Sequence, residues 1–183
     1  IYGFIIFIRN TLYNYKIKKI NKFDKPIISI GNITTGGTCK TPLVIFTAET
    51  LIKYGKKPGI ISRGYGRNSY GLQVVHNGEK IICEIEQSGD EPYLIAKTLN
   101  NTPVVVSENR SVGIKKLIDT FNSDIIIMDD GFQNRKIYRD LDIITISAND
   151  SMHNYRILPW GKLREGINNI NRSDYIIYTK TNN

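Results

Sequence analysis

Apolar residues in this chain fall into short, dense runs separated by glycine-rich and charged stretches. "PIISIG" (26–31) is continuously apolar and bounded by proline and glycine, which reads as a buried strand. "PGIISRGYGR", "TPVVVS", "SDIIIMDDG", "LDIITIS" and "SDYIIYTK" read the same way. Between them, "TPLVIFTAETLIKYG", "SGDEPYLIAKTLN" and "NRSVGIKKLIDTFN" read as helices; Pro42 is tolerated in a first turn and Gly55 is a stop signal. "GLQVVHNGEKIICEIE" is expected to form an inserted β-hairpin, because Asn77-Gly78 is a favoured two-residue turn pair. Strands that are apolar throughout, alternating with helices, predict an α/β fold with a mostly parallel sheet sandwiched by helices. In such sheets ligands sit beyond the C-terminal ends of the strands. "GNITTGGTCKT", "SRGYGR" and "DDGFQ" all fall there, and "GDEP" opens a helix.

The stretch "SIGNITTGGTCKTP" (29–42) joins a strand to a helix and has the parts of a phosphate-binding loop. Phosphate binding at such a junction needs inward-turned backbone N–H groups and a helix N-terminus. A lysine for the outer phosphates and a hydroxyl for Mg²⁺ complete the set. Gly36, Gly37, Lys40 and Thr41 supply these in order, although Thr34 and Cys39 occupy the two glycine positions of the strict pattern. A glycine-rich turn with an incidental lysine is the plainer reading. Cys39 costs little if its backbone is right-handed. At positive φ it strains the loop by roughly 1–2 kcal/mol and is expected to weaken nucleotide affinity. Asp129 and Asp130 end an apolar strand, where a carboxylate can hold Mg²⁺ directly or through water; a solvated acidic turn is the alternative. Asp90 is either the N-cap of its helix or a general base. Arg63, Arg67 and Arg110 are candidate clamps for phosphates.

Composition narrows the class. At 183 residues, 40% hydrophobic and 23% charged, the chain is long enough for one globular domain with a substantial core. Two cysteines, Cys39 and Cys83, make no disulfide framework. His76 and His153 have no ligand-like spacing, which argues against zinc and for a reducing compartment. The net charge is +8, and between Ile1 and Lys25 six basic residues stand against Asp24 alone. "IYGFIIFIRN" is much shorter than the roughly 20 apolar residues that span a bilayer. Apolar and aromatic residues leading into lysines suit a helix lying on an anionic leaflet. A first helix packed on the core with a solvated basic end is the other reading. No nucleic-acid partner is expected; the oligomeric state is open, with a monomer as the default.

Taken together, "RNTLY", "PIISIGNITTGGTCKTP", "KPGIISRGYGR", "SGDEPYLIA", "VVVSENR", "IIIMDDGFQNRKIYRDLDII" and "RILPWGKLREGINNINRSDYIIYTK" resemble the tetraacyldisaccharide 4′-kinase family of lipid A biosynthesis, LpxK. The resemblance covers nearly the whole chain and implies a P-loop NTPase-like fold. It implies transfer of the ATP γ-phosphoryl group, with Mg²⁺, to the 4′-hydroxyl of a tetraacylated disaccharide 1-phosphate lipid. The implied place is the cytoplasmic face of a Gram-negative inner membrane, with residues 1–25 as a membrane-associating helix and 26–183 as the kinase domain. It also assigns roles residue by residue. Thr34, Thr35, Gly36, Gly37, Thr38, Cys39, Lys40 and Thr41 form the ATP loop, with Arg110 near the nucleotide. Thr41, Asp129 and Asp130 hold the metal, and Asp90 is the catalytic base. Tyr65, Arg63, Glu91 and Gln133 lie toward the substrate. Two departures stand out. Cys39 replaces the family's usual glycine, and the smaller second domain, with a histidine that pairs with the base, is absent from this chain. The chain alone is therefore expected to bind ligands and possess reduced or no turnover, and a degenerate nucleotide-binding module is the alternative. A partitioning-type ATPase fits less well, because Thr35 stands where its signature lysine belongs.

Overall fold

The computed structural model describes residues 1–150 and 155–181, so His153 lies outside the described residues. A seven-stranded sheet is built from β1 (Ile27–Asn32), β2 (Pro58–Ser62), β3 (Gln73–His76), β4 (Val104–Val106), β5 (Ile125–Asp129), β6 (Leu141–Ser147) and β7 (Tyr175–Thr179). Their order is β3-β4-β2-β5-β1-β6-β7, and every pair is parallel except β3 with β4. This is the α/β architecture expected from the apolar runs.

The runs are apolar throughout because both sheet faces are covered. Ile60 and Val104 pack with Ile30, Val44, Ala48 and Ile95 under helices α2 (Lys40–Lys53) and α4 (Asp90–Thr98). Their chain neighbours Ile61 and Val105 point the other way, onto Ile114, Leu117 and Met128 beneath α5 (Arg110–Phe121). Successive strand side chains alternate faces, so two helical layers demand apolar residues at every position.

The expected hairpin is present in reduced form. β3 pairs along β4 at the sheet edge, and its return arm is a single bridge, His76 to Ile81. The turn spans Asn77–Lys80 rather than two residues, because the Asn77 side chain accepts from the Glu79 and Lys80 N–H groups and widens it. "EIEQS" then forms a one-turn helix, α3 (Ile85–Ser88), held by a capping box between Glu84 and Gln87.

The N-terminal helix, α1, covers Tyr2–Asn14 and not the full 25 residues; Lys16 at φ 57 ends it, and Asn21 pairs with Ile137 beside the sheet. Only Asn10 and Tyr13 of α1 are buried. Phe4 and Phe7 are 67% and 65% exposed, so this is not a core-packed helix. No helix among the described residues is long and apolar enough to cross a membrane.

Candidate active site

Strands β1 and β5 lie side by side, so the segments that leave their C-terminal ends meet. After β1, the loop is tied down at both ends and open in the middle. Asn32 Nδ2 donates to Thr38 Oγ1 at 2.9 Å and to the Gly36 carbonyl at 3.4 Å, and Thr145 Oγ1 donates to Thr38 Oγ1 at 2.8 Å. Thr34 bridges Leu163, and the Thr35 N–H donates to the Lys162 carbonyl at 2.8 Å. Gly36, at φ +114, and Gly37 are exposed, and a Cβ on either would meet nothing within 4 Å. Thr34, Thr35 and Thr38 of the predicted loop are thus tied into the fold; the diglycine is the part that faces open space. Cys39 precedes α2 in the left-handed region, φ 56 and ψ 34, with its thiol half-buried. The positive-φ case is the one that applies.

Lys40 and Thr41 are the first two residues of α2, and both are 8% exposed. Lys40 Nζ lies 3.7 Å from Asp130 Oδ1. Asp129, the last residue of β5, is fully buried; Ser62 Oγ donates to its Oδ2 at 2.8 Å and its Oδ1 has no partner among the described residues. Burial raises the Asp129 carboxyl to about 6, the Ser62 hydroxyl pulling it down and the charges of Asp130 and Glu91 pushing it up. Asp130 sits at φ 51 and accepts from Arg164 Nη1 at 2.8 and 3.0 Å. Burial raises its carboxyl, but Arg164 and Lys40 outweigh that and leave it below the usual carboxylate range. Arg110 donates to the carbonyls of Ser107 at 2.7 Å and Asp129 at 3.3 Å. Burial lowers it to about 10 against the pull of both aspartates. Gln133 Nε2 donates to the Asn32 carbonyl at 2.7 Å.

Two further motifs meet next door. Gly64 and Gly89 both have positive φ, and a Cβ on Gly89 would fall 2.8 Å from the Tyr65 carbonyl. Only glycine admits that approach, which joins "SRGYGR" to "GDEP". Gly89 is the N-cap, and Asp90 is the first helical residue with no side-chain capping bond. Its exposed carboxylate has no hydrogen-bond or ion-pair partner among the described residues, so capping does not explain it. Tyr65, 89% exposed, and Asp90 share a cavity of about 350 Å³. Arg67 is not a free clamp: it is bound to Glu108 and the Gly71 carbonyl and closes its own loop. Arg63 is exposed, and Arg110 lines a second cavity, about 390 Å³, on the α5 side with Asn21 and Lys136.

The sequence profile described as "LpxK: Tetraacyldisaccharide-1-P 4'-kinase" matches residues 1–183. The chain belongs to the tetraacyldisaccharide 4′-kinase family. It is 39% identical over 183 residues to the tetraacyldisaccharide 4′-kinase of Chlorobium luteolum, covering 98% of this chain and 52% of that one. It is 41% identical over 179 residues to that of Aquifex aeolicus, covering 98% and 56%. The crystal structure of the "apo" form of Aquifex aeolicus LpxK in complex with ATP superposes with a TM-score of 0.91 at 41% identity, over 98% of this chain and 56% of that one. The chain spans about half the length of the curated relatives it matches.

Within this LpxK-family chain, the residues that sequence reasoning left without roles lie, Ser62 apart, on one segment. Residues 162–165 run antiparallel to the loop root, with the Arg164 N–H donating to the Ile33 carbonyl at 2.8 Å. That pairing delivers Arg164 to Asp130. "GKLREG" carries three charges, Lys162, Arg164 and Glu165, with no periodicity to separate their uses. Ser62, at the end of an apolar strand and the first letter of "SRGYGR", had no individual role in the sequence reading.

Proposed function

We propose that this chain is the nucleotide- and acceptor-binding part of a kinase that moves the γ-phosphoryl group of ATP to the 4′-hydroxyl of a tetraacylated disaccharide 1-phosphate. The observation that carries the reading is the convergence of an open diglycine, Lys40, Thr41 and a buried acidic strand end at the C-terminal ends of the interior strands β1 and β5. Family membership supports it, as does the ATP complex of the Aquifex aeolicus relative.

The donor set fits Mg²⁺ with a triphosphate. Among the described residues no three His, Cys, Asp or Glu side chains converge. A cation here would be held by the Thr41 hydroxyl and the partnerless Asp129 oxygen together with the nucleotide. It would supply charge neutralisation on the transferring group. The chain's own groups do the rest. The N–H groups of Gly36 and Gly37 and the start of α2 hold phosphate oxygens, and Lys40 carries positive charge to the outer phosphates. Asp130, fixed as an anion between Arg164 and Lys40, keeps Lys40 extended toward the loop. Asp90 accepts the proton of the 4′-hydroxyl as that oxygen bonds to phosphorus and the β–γ bridge oxygen departs. Tyr65, Arg63, Glu91 and Gln133 border the acceptor side.

Acyl chains remain in the bilayer, so the site has to reach its surface. Phe4, Ile5, Phe7 and Ile8 expose an apolar face on α1, and lysines follow it, which supports peripheral binding to an anionic leaflet on the ATP-containing, cytoplasmic side of the inner membrane. The test is phosphoryl transfer by the full-length protein with γ-labelled ATP and the detergent-solubilised disaccharide. Asp90→Asn should lower kcat by about 10²–10⁴-fold and leave ATP binding intact. Full activity in that variant sinks the assignment of the base, and no transfer by the unmodified protein sinks the reading as a whole.

A further inference from the structure

Two stretches quoted for the family resemblance, "RNTLY" in α1 and "LREGINNINR" after β6, have no part in the chemistry above apart from Arg164. They touch each other. Asn10 of α1 is 6% exposed and Glu165 is fully buried. Asn10 Nδ2 donates to Glu165 Oε2 at 3.1 Å and to Asn169 Oδ1 at 3.3 Å, and Arg172 Nη2 donates to the same Glu165 oxygen at 2.7 Å. The other oxygen, Oε1, accepts from Gln133 Nε2 at 3.4 Å. Gln133 Nε2 also holds the Asn32 carbonyl at 2.7 Å, and Asn32 in turn holds Thr38 and Gly36 of the loop.

The same helix reaches this wall at two more points. Tyr2 OH donates to the Arg164 carbonyl at 2.9 Å, and Arg135 donates to the Asn10 carbonyl at 3.0 Å and to Asn14 Oδ1 at 2.8 Å. A buried carboxylate must be fully partnered to be tolerated, and its partners then fix its position. Glu165 has Arg172 for its charge, with the guanidinium 4.4 Å from the centre of the Phe132 ring. Asn10 completes its hydrogen bonding.

We propose that Asn10 and Glu165 are positioning residues for the nucleotide loop: Asn10 orients Glu165, Glu165 orients Gln133, and Gln133 sets the Asn32 carbonyl at the loop root. The helix that carries the exposed apolar face thereby also completes the wall of the active site. This rests on the kinase reading for its purpose but is tested without it.

The experiment uses full-length protein with Asn10→Ala, Glu165→Gln and the double variant. Three quantities are read: Mg·ATP affinity by calorimetry, amide exchange at Thr35 and Arg164, and melting temperature. Each single variant is expected to weaken Mg·ATP about tenfold and to speed exchange at those two amides by a similar factor. The double variant should be no worse than the weaker single, because both interrupt one relay. Asn10→Asp keeps the size but removes the donor and faces a second carboxylate. It should weaken Mg·ATP at least as much as Asn10→Ala, and it serves where Glu165→Gln fails to fold. Wild-type affinity and loop exchange in Asn10→Ala, with faster exchange confined to residues 2–14, would show that Asn10 only ties the helix down and would overturn the proposal. Additive losses in the double variant overturn it as well. A protein that binds Mg·ATP, responds to Asn10→Ala and phosphorylates no disaccharide refutes the kinase reading and leaves this one standing. Transfer by the unmodified protein, with Mg·ATP affinity and loop exchange unchanged in all of these variants, does the reverse.

Discussion

Cys39→Gly should stabilise the protein and change ATP affinity little. The reason lies in what holds residue 39 in the left-handed region. On one side Thr38 is fixed by Asn32 and Thr145, and its carbonyl accepts from Thr179 Oγ1 at 3.4 Å. On the other, the Cys39 carbonyl accepts the Leu43 N–H at 3.4 Å in the first turn of α2. The backbone at 39 is over-determined by the fold, so its strain is borne by folding and not by nucleotide binding. Releasing a left-handed non-glycine residue is worth roughly 1–2 kcal/mol. The added freedom of glycine in the unfolded chain takes back about 0.4–1 kcal/mol. The net is about 1 kcal/mol, or a rise in Tm of about 2–4 °C for a chain of this size. Cys39→Ala is the control: it removes the thiol and keeps the strained φ, so its Tm should stay near that of the unmodified protein. Thermal melts and Mg·ATP calorimetry on all three proteins decide the matter. Equal gains for Ala and Gly would mean that the thiol, not the backbone, is at fault. Affinity improved fivefold by Gly without a change in Tm would mean that the free loop relaxes out of the left-handed region, and the reasoning would fail.

Other outcomes follow from the same geometry. Asp129→Asn should abolish Mg-dependent transfer and still raise the Tm of chelator-treated protein at pH 7.5. The Asp129 carboxyl lies at about 6 in the fold against 3.8 unfolded, so the folded state binds the extra proton and stability falls as pH rises through that interval. At about 1.4 kcal/mol per unit the gap is on the order of 3 kcal/mol, and at a pH about one unit or more below the unfolded value, where both states are protonated, the Asn variant should show no such advantage. Gly89→Ala should cost about 1–3 kcal/mol, read as denaturant midpoint, since its φ is +88 and its Cβ would meet the Tyr65 carbonyl at 2.8 Å. Arg164→Ala frees Asp130 from the Nη1 group that bridges its two oxygens; transfer at saturating ATP should fall at least tenfold, and an unchanged kcat would remove Arg164 from the site.

Much of the sheet was legible because its physics is local. A strand covered on both faces has to be apolar at every position, and "PIISIG", "PVVV" and "DIIIM" say so without help from the rest of the chain. The loop and the acidic strand end were legible for a related reason: glycines, a Lys-Thr pair and two aspartates stand at strand C-termini, where few other roles require them. The hairpin shrank because an Asn side chain, invisible to a turn-pair rule, captured two N–H groups and let "EIEQS" turn helical. The first helix stopped early because a left-handed lysine ended it and the basic run found a bridge to Ile137 instead.

What sequence could not give is the third wall of the site. Arg164, Glu165 and Arg172 belong to a stretch with no strand or helix period, and their sites of action lie roughly thirty to forty residues back along the chain at Asp130, Phe132 and Gln133 and more than a hundred back at Asn10 and Ile33. Contacts of that separation are set by the crossover from β6 to β7, which places 155–172 over the ends of β1 and β6. The consequence is that the acidic strand end is not an autonomous feature. Asp130 is held by a lysine from the helix that follows the loop and by an arginine from a segment that also pairs with the loop. Diglycine loop, acidic strand end and N-terminal helix are therefore mechanically one object, joined through residues 162–165, and a substitution in that short segment should disturb all three together where a substitution in β4 disturbs none.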